Sequence, residues 1–293
     1  MVGNVKSGFG SILSEWRSIR RASQLDLALT TGVSQRHISF IESGRAQPSR
    51  ELILKLAGGL DLPLRTRNEL LLAAGYAPMY RERQLDLAEM QPAREALERI
   101  LKHHEPYPAI VTDAAWNIVM RNSAASRIIM ACVITDSILK VAPDLPLNLM
   151  RLMFGIDGLR PHILNWNETS AVLLNRLQRE VSANPNSPSA ELFRDLRETA
   201  GVPGERAFRQ SEPFEPVLPL ELLVGGTHVR LFTMFTTFGT SQDIALQELR
   251  IDMSFPADEP TRQFLMSTAA SEVCNGPQDV VKKRTPNDLN ELI

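Results

Sequence analysis

Residues 23–50 read SQLDLALTTGVSQRHISFIESGRAQPSR, and two short helices joined by a tight turn follow from them residue by residue. Ser23 is a capping residue type whose hydroxyl can hold a free amide of the first turn, and Leu25, Ala28 and Leu29 recur behind it at helical spacing. Gly32 falls where the chain must bend sharply, a place where a residue without a Cβ takes positive φ at no steric cost. Val33 plugs the angle between the helices, and Ser34 caps the second one. In that second helix Ile38 and Ile41 face inward, which leaves Gln35, Arg36, His37 and Ser39 pointing away from the packing face. Glu42, Ser43, Gly44 and Arg45 close it in a Gly-bearing turn, and Pro48-Ser49 opens a third apolar helix through Leu52, Leu54, Leu56 and Ala57. The stretch predicts a helix-turn-helix locked into a small bundle, with four side chains of its second helix able to reach base edges.

These residues resemble the XRE family of phage-repressor-like helix-turn-helix proteins, in which a Gln opens the first helix and GVS precedes the reading helix. The resemblance covers residues 9–76, counting an N-terminal helix with Ile12, Leu13, Trp16 and Ile19 and a fifth over Glu69 to Ala74. It implies that Gln24 touches the DNA backbone and buttresses base contact, while Gln35 and Arg36 read bases. Gln suits adenine and Arg suits guanine by bidentate geometry. Ser34, His37 and Ser39 complete the candidate DNA-facing set on the reading helix. Arg17, Arg20, Arg21, Arg45 and Arg50 are candidates for phosphate neutralisation, which supplies affinity rather than sequence choice. A run such as Arg20-Arg21 also suits a solvated helix face. Phage-type readers dock as two-fold pairs on half-sites, so a homodimer on double-stranded DNA is expected.

Charge agrees with this division. Residues 1–80 hold ten Lys or Arg against six Asp or Glu, and the remainder holds 22 against 28, so the chain-wide −2 hides a basic end. A basic end on an acidic body directs only one end of the molecule to phosphate. With 293 residues the chain is too long for one such bundle and predicts a second domain; its 43% apolar residues suffice for a core. No apolar run is long enough to span a bilayer and no secretory h-region precedes the first helix, so the cytoplasm is the expected location. Cys132 and Cys274 lie far apart without disulfide-like spacing and are expected to be ordinary thiols.

The expected organisation is a helix-turn-helix domain over 1–80, a connector helix over 81–104, a sheet-bearing domain over 105–267 and a polar tail over 268–293. Gly75 to Arg83 breaks the first helical pattern, and Asp86 to His104 resumes it with Leu97, Ile100 and Leu101 on one side. Ala109-Ile110-Val111 and Trp116 to Met120 form two short β-type runs around Asp113-Ala114-Ala115, a hairpin leading into a helix. Leu145 to Phe154 and Leu164 to Val181 are apolar at helical spacing, with Asn148 and Asn167 as N-cap candidates. From Pro216 three segments, LPLELLVGG, THVRLFTMFTTFG and IALQELRIDMSFP, read as an antiparallel three-stranded meander. Two strands, then helices, then three strands is the order of a PAS-type domain, a sheet with helices laid across one face and often a pocket beneath them. The expected fold class is therefore an all-α N-terminal bundle followed by an α+β PAS-like domain.

A second resemblance is to the ligand-binding domain of MmyB-like regulators, a PAS-like module that follows this type of helix-turn-helix. It rests on PAIVTDAAWNIVMRNSAA, on NLMRLMF at 148–154, and on the Trp166 helix followed by NPNSP. Ala207-Phe208-Arg209 fits the family's later segment, but the Trp and the His-Pro usual after it are absent. The resemblance implies a transcription regulator whose second domain holds a hydrophobic small molecule, with fatty acids as the family-level candidate.

The residues argue in the same direction. Met120, Met130, Met150, Met153, Phe154, Trp166, Phe232, Met234 and Phe235 concentrate soft, adaptable side chains suited to an acyl chain. At helical spacing each serves a plain core equally well. Along 229–238, Val229, Leu231 and Phe235 share one face and Phe232, Met234 and Phe238 the other, so both faces read as covered. Arg121, Arg151 or His162 could pair with a head-group charge, and Asn122 could donate hydrogen bonds.

Enzymatic readings lack their chemistry. Residues 141–281 contain no lysine, which removes the Ser–Lys dyad of self-cleaving regulators from most of the domain. Adjacent His103-His104 before Glu105-Pro106 do not place two metal ligands on one helical face, and no glycine-rich phosphate loop occurs. A ligand-sensing regulator without metal or catalytic group is the preferred reading. A C-terminal domain serving only dimerisation or partner-peptide binding is the alternative, and an enzyme carrying a DNA-targeting head is the third.

Overall fold

The structure is a computed structural model that describes residues 8–132, 146–198, 219–239 and 241–273. The N-terminal head comprises α1 (Phe9–Ile19), α2 (Gln24–Thr31), α3 (Gln35–Glu42), α4 (Arg50–Gly59) and α5 (Leu64–Ala73). Each serine expected to cap a helix does so. Ser23 Oγ accepts from the Asp26 amide while the Asp26 carboxylate accepts from the Ser23 amide, a reciprocal box, and the Ser34 and Ser49 hydroxyls accept from His37 N and Leu52 N. Gly32 takes φ 64 at the turn. Leu13, Ile38, Ile53, Leu56, Leu70 and Leu71 are fully buried in the head's core.

One face was misplaced by the sequence pattern. Of Leu25, Ala28 and Leu29 only Ala28 is buried; Leu25 and Leu29 are exposed, and α2 buries Leu27 and Thr31 with Ala28. Two apolar residues four apart fit either side of a two-turn helix; the packing of α2 on α3 and α4 selects the side that carries Leu27.

The connector is not one helix from 86. Residues 88–90 form a 3-10 turn before α6 (Gln91–His103), whose Leu97 and Leu101 are buried. Then come β1 (Ala109–Thr112), β2 (Ile118–Arg121), α7 (Ser123–Cys132), α8 (Leu149–Phe154), a 3-10 turn at Arg160–His162, α9 (Trp166–Ala183) and α10 (Ser189–Glu198). The chain continues through β3 (Leu220–Val224), β4 (Thr227–Thr237), α11 (Ile244–Glu248), β5 (Arg250–Pro256) and α12 (Glu259–Val273). The strands make one antiparallel sheet in the order β2-β1-β5-β4-β3, so the last strand occupies the centre. This is the α+β, PAS-like arrangement expected from the element order.

Three boundaries differ from expectation. The IALQE segment is the short helix α11, capped by the Asp243 carboxylate, and only Arg250 onward is strand. Asn148 caps α8 through its side chain as expected, but Asn165 rather than Asn167 stands at the start of α9, and it makes no side-chain cap. Residues 268–273 belong to α12, so the polar tail does not begin at 268. Ala207-Phe208-Arg209, Cys274 and the remaining tail lie outside the described residues.

Strand alternation sorts the sheet into two faces. Val111 and Ile251 point to the outer face, against Leu97 and Leu101 of α6. Leu222, Val224, Val229 and Leu231 point to the inner face and pack with residues of α7, α8, α9 and α10. The head joins the sheet domain through α11: Arg65 forks onto Glu248 at 2.8 Å and onto Glu82, the Leu64 amide donates to Gln247 Oε1, and Arg83 pairs with Asp243 at 3.2 Å.

Gly10 sets how closely α1 crosses the end of α3. A Cβ there would lie 2.3 Å from the Glu42 carbonyl oxygen and 2.7 Å from that of Ile41. Gly10→Ala is expected to lower unfolding stability by about 1–3 kcal/mol, measured by urea denaturation.

Candidate nucleic-acid interface and ligand site

The reading helix α3 is held by a half-buried charge network. Glu42, at its C-terminal end, accepts from Arg17 Nε at 2.8 Å and Nη2 at 3.0 Å, and from Gln24 Nε2 at 2.8 Å. Arg17 Nη1 donates to the Ala22 carbonyl, and its hydrogen bonds to Glu42 hold its pKa above the usual guanidinium range. Arg17 is therefore placed as a structural tie between α1 and α3 rather than at the phosphate-facing surface. Gln24 reaches the same carboxylate, which joins α2 to the tie. Arg20 is also engaged, donating to the Leu60 and Asp61 carbonyls. Ser34, Gln35, Arg36, Arg21, Arg45 and Arg50 are exposed, and His37 and Ser39 are half-buried beside them.

The sequence reading did not single out Phe40. The Arg36 and Arg45 guanidiniums lie 5.3 and 6.0 Å from the centre of its ring, so one aromatic residue on α3 organises both cations. Its position four residues after Arg36 was a legible signal.

In the sheet domain the expected ligand residues divide. Met150, Met153 and Phe154 are buried in the core beneath the helices, and Trp166 packs edge-on against Phe154 at 5.1 Å. Phe235 also points to the inner face, where the Arg176 guanidinium sits 3.4 Å from its ring centre. The others stand elsewhere. Met120, Phe232 and Met234 lie on the outer face, because β2 and β4 alternate and these positions pair with Val111, Phe255 and Met253. Met130 is 70% exposed on α7. Arg151 pairs at the surface with Asp195 at 2.6 Å. Asn122 is fully used: its oxygen accepts from Ala109 N and Ala125 N, and its amide donates to the Leu101 and Tyr107 carbonyls. It stitches β1, α6 and α7 together and has nothing left for a ligand. His162 is half-buried on its 3-10 turn, next to Ile163, which bridges to Leu222 of the edge strand β3.

The chemically distinctive site was not foreseen. On the inner face, β5 presents Arg250 and Asp252 two residues apart, and Thr112 of β1 stands directly across from Arg250. Helix α9 lays Arg176 and Glu180 over them, one turn apart. Glu180 is saturated, accepting from Arg250 at 3.1 Å, Trp116 Nε1 at 3.1 Å, Ser189 Oγ at 3.0 Å and Arg176 at 3.4 Å. Both guanidiniums also lie against the Trp116 ring, at 4.6 and 4.8 Å. Asp252 is 6% exposed and Thr112 wholly buried, yet both Asp252 oxygens, Thr112 Oγ1 and Arg250 Nη1 have no hydrogen-bond partner. Burial pushes the Asp252 carboxyl up to about 7 against the pull of Arg176 and Arg250, and burial lowers the pKa of Arg176. Buried polar groups are rarely left unpaired, so this cluster has the chemistry of a site built for a further polar group. The alternation Arg250-Ile251-Asp252-Met253-Ser254 was the available signal, but alone it reads as a strand with a solvent-facing side.

Comparison with known proteins extends the pattern. A family model described as the MmyB-like transcription regulator ligand binding domain matches residues 93–267, and a helix-turn-helix model matches residues 21–66. The HTH-type transcriptional regulator RghRB of Bacillus subtilis is 34% identical over 118 residues, 40% of this chain and 76% of that protein. An HTH-type transcriptional regulator of Mycobacterium tuberculosis (strain ATCC 25618 / H37Rv) is 38% identical over 65 residues, 22% of this chain; the match spans a quarter (25%) of that relative's length. Among solved structures, the PAS domain of Bordetella pertussis BvgS aligns with 12% identity and a TM-score of 0.24, covering 62% of this chain and 98% of that one.

Two outcomes follow from these sites. Arg36→Ala is expected to cost about 1–3 kcal/mol on a specific DNA site and to relax base choice at one position, whereas Arg45→Ala weakens specific and random duplexes alike; titration of both duplexes checks this. Because the folded pKa of Asp252 lies above its ordinary value of 3.8, the folded state retains a proton that the unfolded chain releases. Stability is therefore expected to fall as pH rises from about 4 to about 7, and Asp252→Asn to flatten that slope in thermal unfolding.

Proposed function

The chain belongs to the MmyB-like transcription regulators, and on that premise we propose that it is a DNA-binding regulator whose PAS-like domain senses a hydrophobic small molecule, with a fatty acid as the candidate ligand. The observation that carries the sensing role is the cluster of buried, unpartnered polar groups on the helix-covered face of the sheet, bordered by the apolar side chains of α9 and the sheet. In a domain serving dimerisation or peptide binding alone, interior polar groups are expected to pair with one another.

The head acts on DNA as a homodimer, each α3 entering the major groove of one half-site. Ligand state reaches the head through β5. Asp252 and Arg250 lie on the strand that begins directly after α11, and α11 carries the Glu248 and Gln247 contacts to Arg65 and Leu64. A ligand that favours one position of β5 thereby favours one seating of the head, and coupling requires only that its affinity differs between the two seatings.

Two measurements test the reading. The protein is purified natively and denatured, and the released small molecules are identified by mass spectrometry. A stoichiometric lipid or fatty acid supports sensing, and an empty protein that also binds no added lipid opposes it. Arg65→Ala should leave ligand affinity within about twofold while removing most of the ligand's effect on DNA affinity; a fully retained effect would refute the α11 route.

A further inference from the structure

We propose that the polar end of the ligand is a carboxylic acid seated among Asp252, Arg250 and Thr112, and that it binds together with one proton shared between its own carboxyl and that of Asp252. The inference rests on the reading of this domain as a ligand domain and specifies where and in what form the head group is held.

The argument begins with unused hydrogen-bonding capacity. Arg250 Nη1 is a donor without an acceptor, and the Thr112 hydroxyl is buried without a partner directly across the β1/β5 ladder. A protonated Asp252 adds a third donor on the same face, two residues along β5. Three converging donors suit a group that only accepts, and a carboxylate offers two oxygens with four lone-pair positions.

Charge selects the same chemistry. The groups facing Asp252 are Arg250 on its own strand and Arg176 and Glu180 on α9. The flanking strands contribute Ile110 and Thr112 from β1 and Thr233 and Phe235 from β4, none of which titrates, and Arg121 of β2 lies further along, bonded to Ser126. Two guanidiniums against the Glu180 carboxylate leave one positive charge. Above about pH 7 an ionised Asp252 cancels it in the empty site. When a second carboxylate enters, a site holding both anions would be negative and buried, whereas two carboxyls sharing one proton restore neutrality. The raised pKa of Asp252 means that this proton is available near neutral pH. The apolar tail then has Leu174 and Leu177 of α9 and the aliphatic side chains of β3 and β4 beside it.

Dodecanoic acid below its micellar concentration is the probe, titrated calorimetrically into the full chain at pH 6.5, 7.5 and 8.5 in two buffers of different ionisation enthalpy. Uptake of close to one proton at pH 8.5 and an affinity that falls by up to about tenfold per pH unit above 7 are expected. Asp252→Asn should abolish the uptake, flatten the pH profile and bind the acid more tightly than the native protein at pH 8.5. Thr112→Val provides a second variant, since removing an unpaired buried hydroxyl should leave the empty protein as stable or more so while weakening the acid several-fold. Proton uptake near zero in the native protein, the same pH profile in Asp252→Asn, or equal binding of dodecanamide in native and Asn proteins would overturn the shared-proton site while leaving a lipid-binding domain intact. Failure of the native protein to bind either probe at any pH would overturn the ligand-domain reading as well.

Discussion

The position of β5 at the centre of the sheet is the constraint on which the C-terminal domain depends. An antiparallel sheet of order β2-β1-β5-β4-β3 requires the last strand to be inserted between β1 and β4, so its two faces cannot both be left to solvent. Its outer residues, Ile251 and Met253, meet the apolar side of α6. Its inner residues, Arg250 and Asp252, are carried beneath α9, where charge must be balanced rather than hydrated. The Glu180 carboxylate answers Arg250, and the Trp116 ring gives both guanidiniums a second surface. The same strand starts at α11, which also receives the head. Sheet order, buried charge and the junction between domains are thus consequences of one topological placement.

The head solves a different problem, holding three short helices of 8 to 11 residues at fixed angles. Helices of that length gain little from propensity and rely on tertiary contacts. Hydrophobic packing supplies most of this, but Glu42 adds direction, because Arg17 and Gln24 approach it from two different helices. The half-buried ion pair leaves Arg36 and Arg45 as the outward cations grouped on Phe40. Arginines that look equivalent along the sequence therefore divide into those that build the surface and those that present charge on it.

The helix-turn-helix was legible because its signals are local: a serine at the start of each of three helices, a glycine at the turn, and an apolar pair spaced three apart in α3. The order of strands and helices likewise announced a PAS-like domain. Legibility ended where a residue's role depends on what covers it. Leu25 and Leu29 fit the helical period as well as Leu27 and Thr31, and only the neighbouring helices chose between them. Met120, Phe232 and Met234 were attractive pocket residues by composition, but strand parity places them on the face opposite the long helices. Asn122 and Arg151 had the right chemistry for a ligand, and the structure has already given them partners.

By itself, the sequence determined most of the helices and strands and the polar outward side of α3, because caps, turns and periodicity act over a few residues; the IALQE segment, which reads as strand, is the exception as helix α11. Tertiary structure alone decided which face of each strand is interior. Arg250 and Asp252 alternate with Ile251 and Met253 as they would on a strand bathed by water on one side. They become a buried site only because α9 crosses that side of the sheet, and a partner 70 residues away in the chain leaves no local trace in the pattern of the strand it covers.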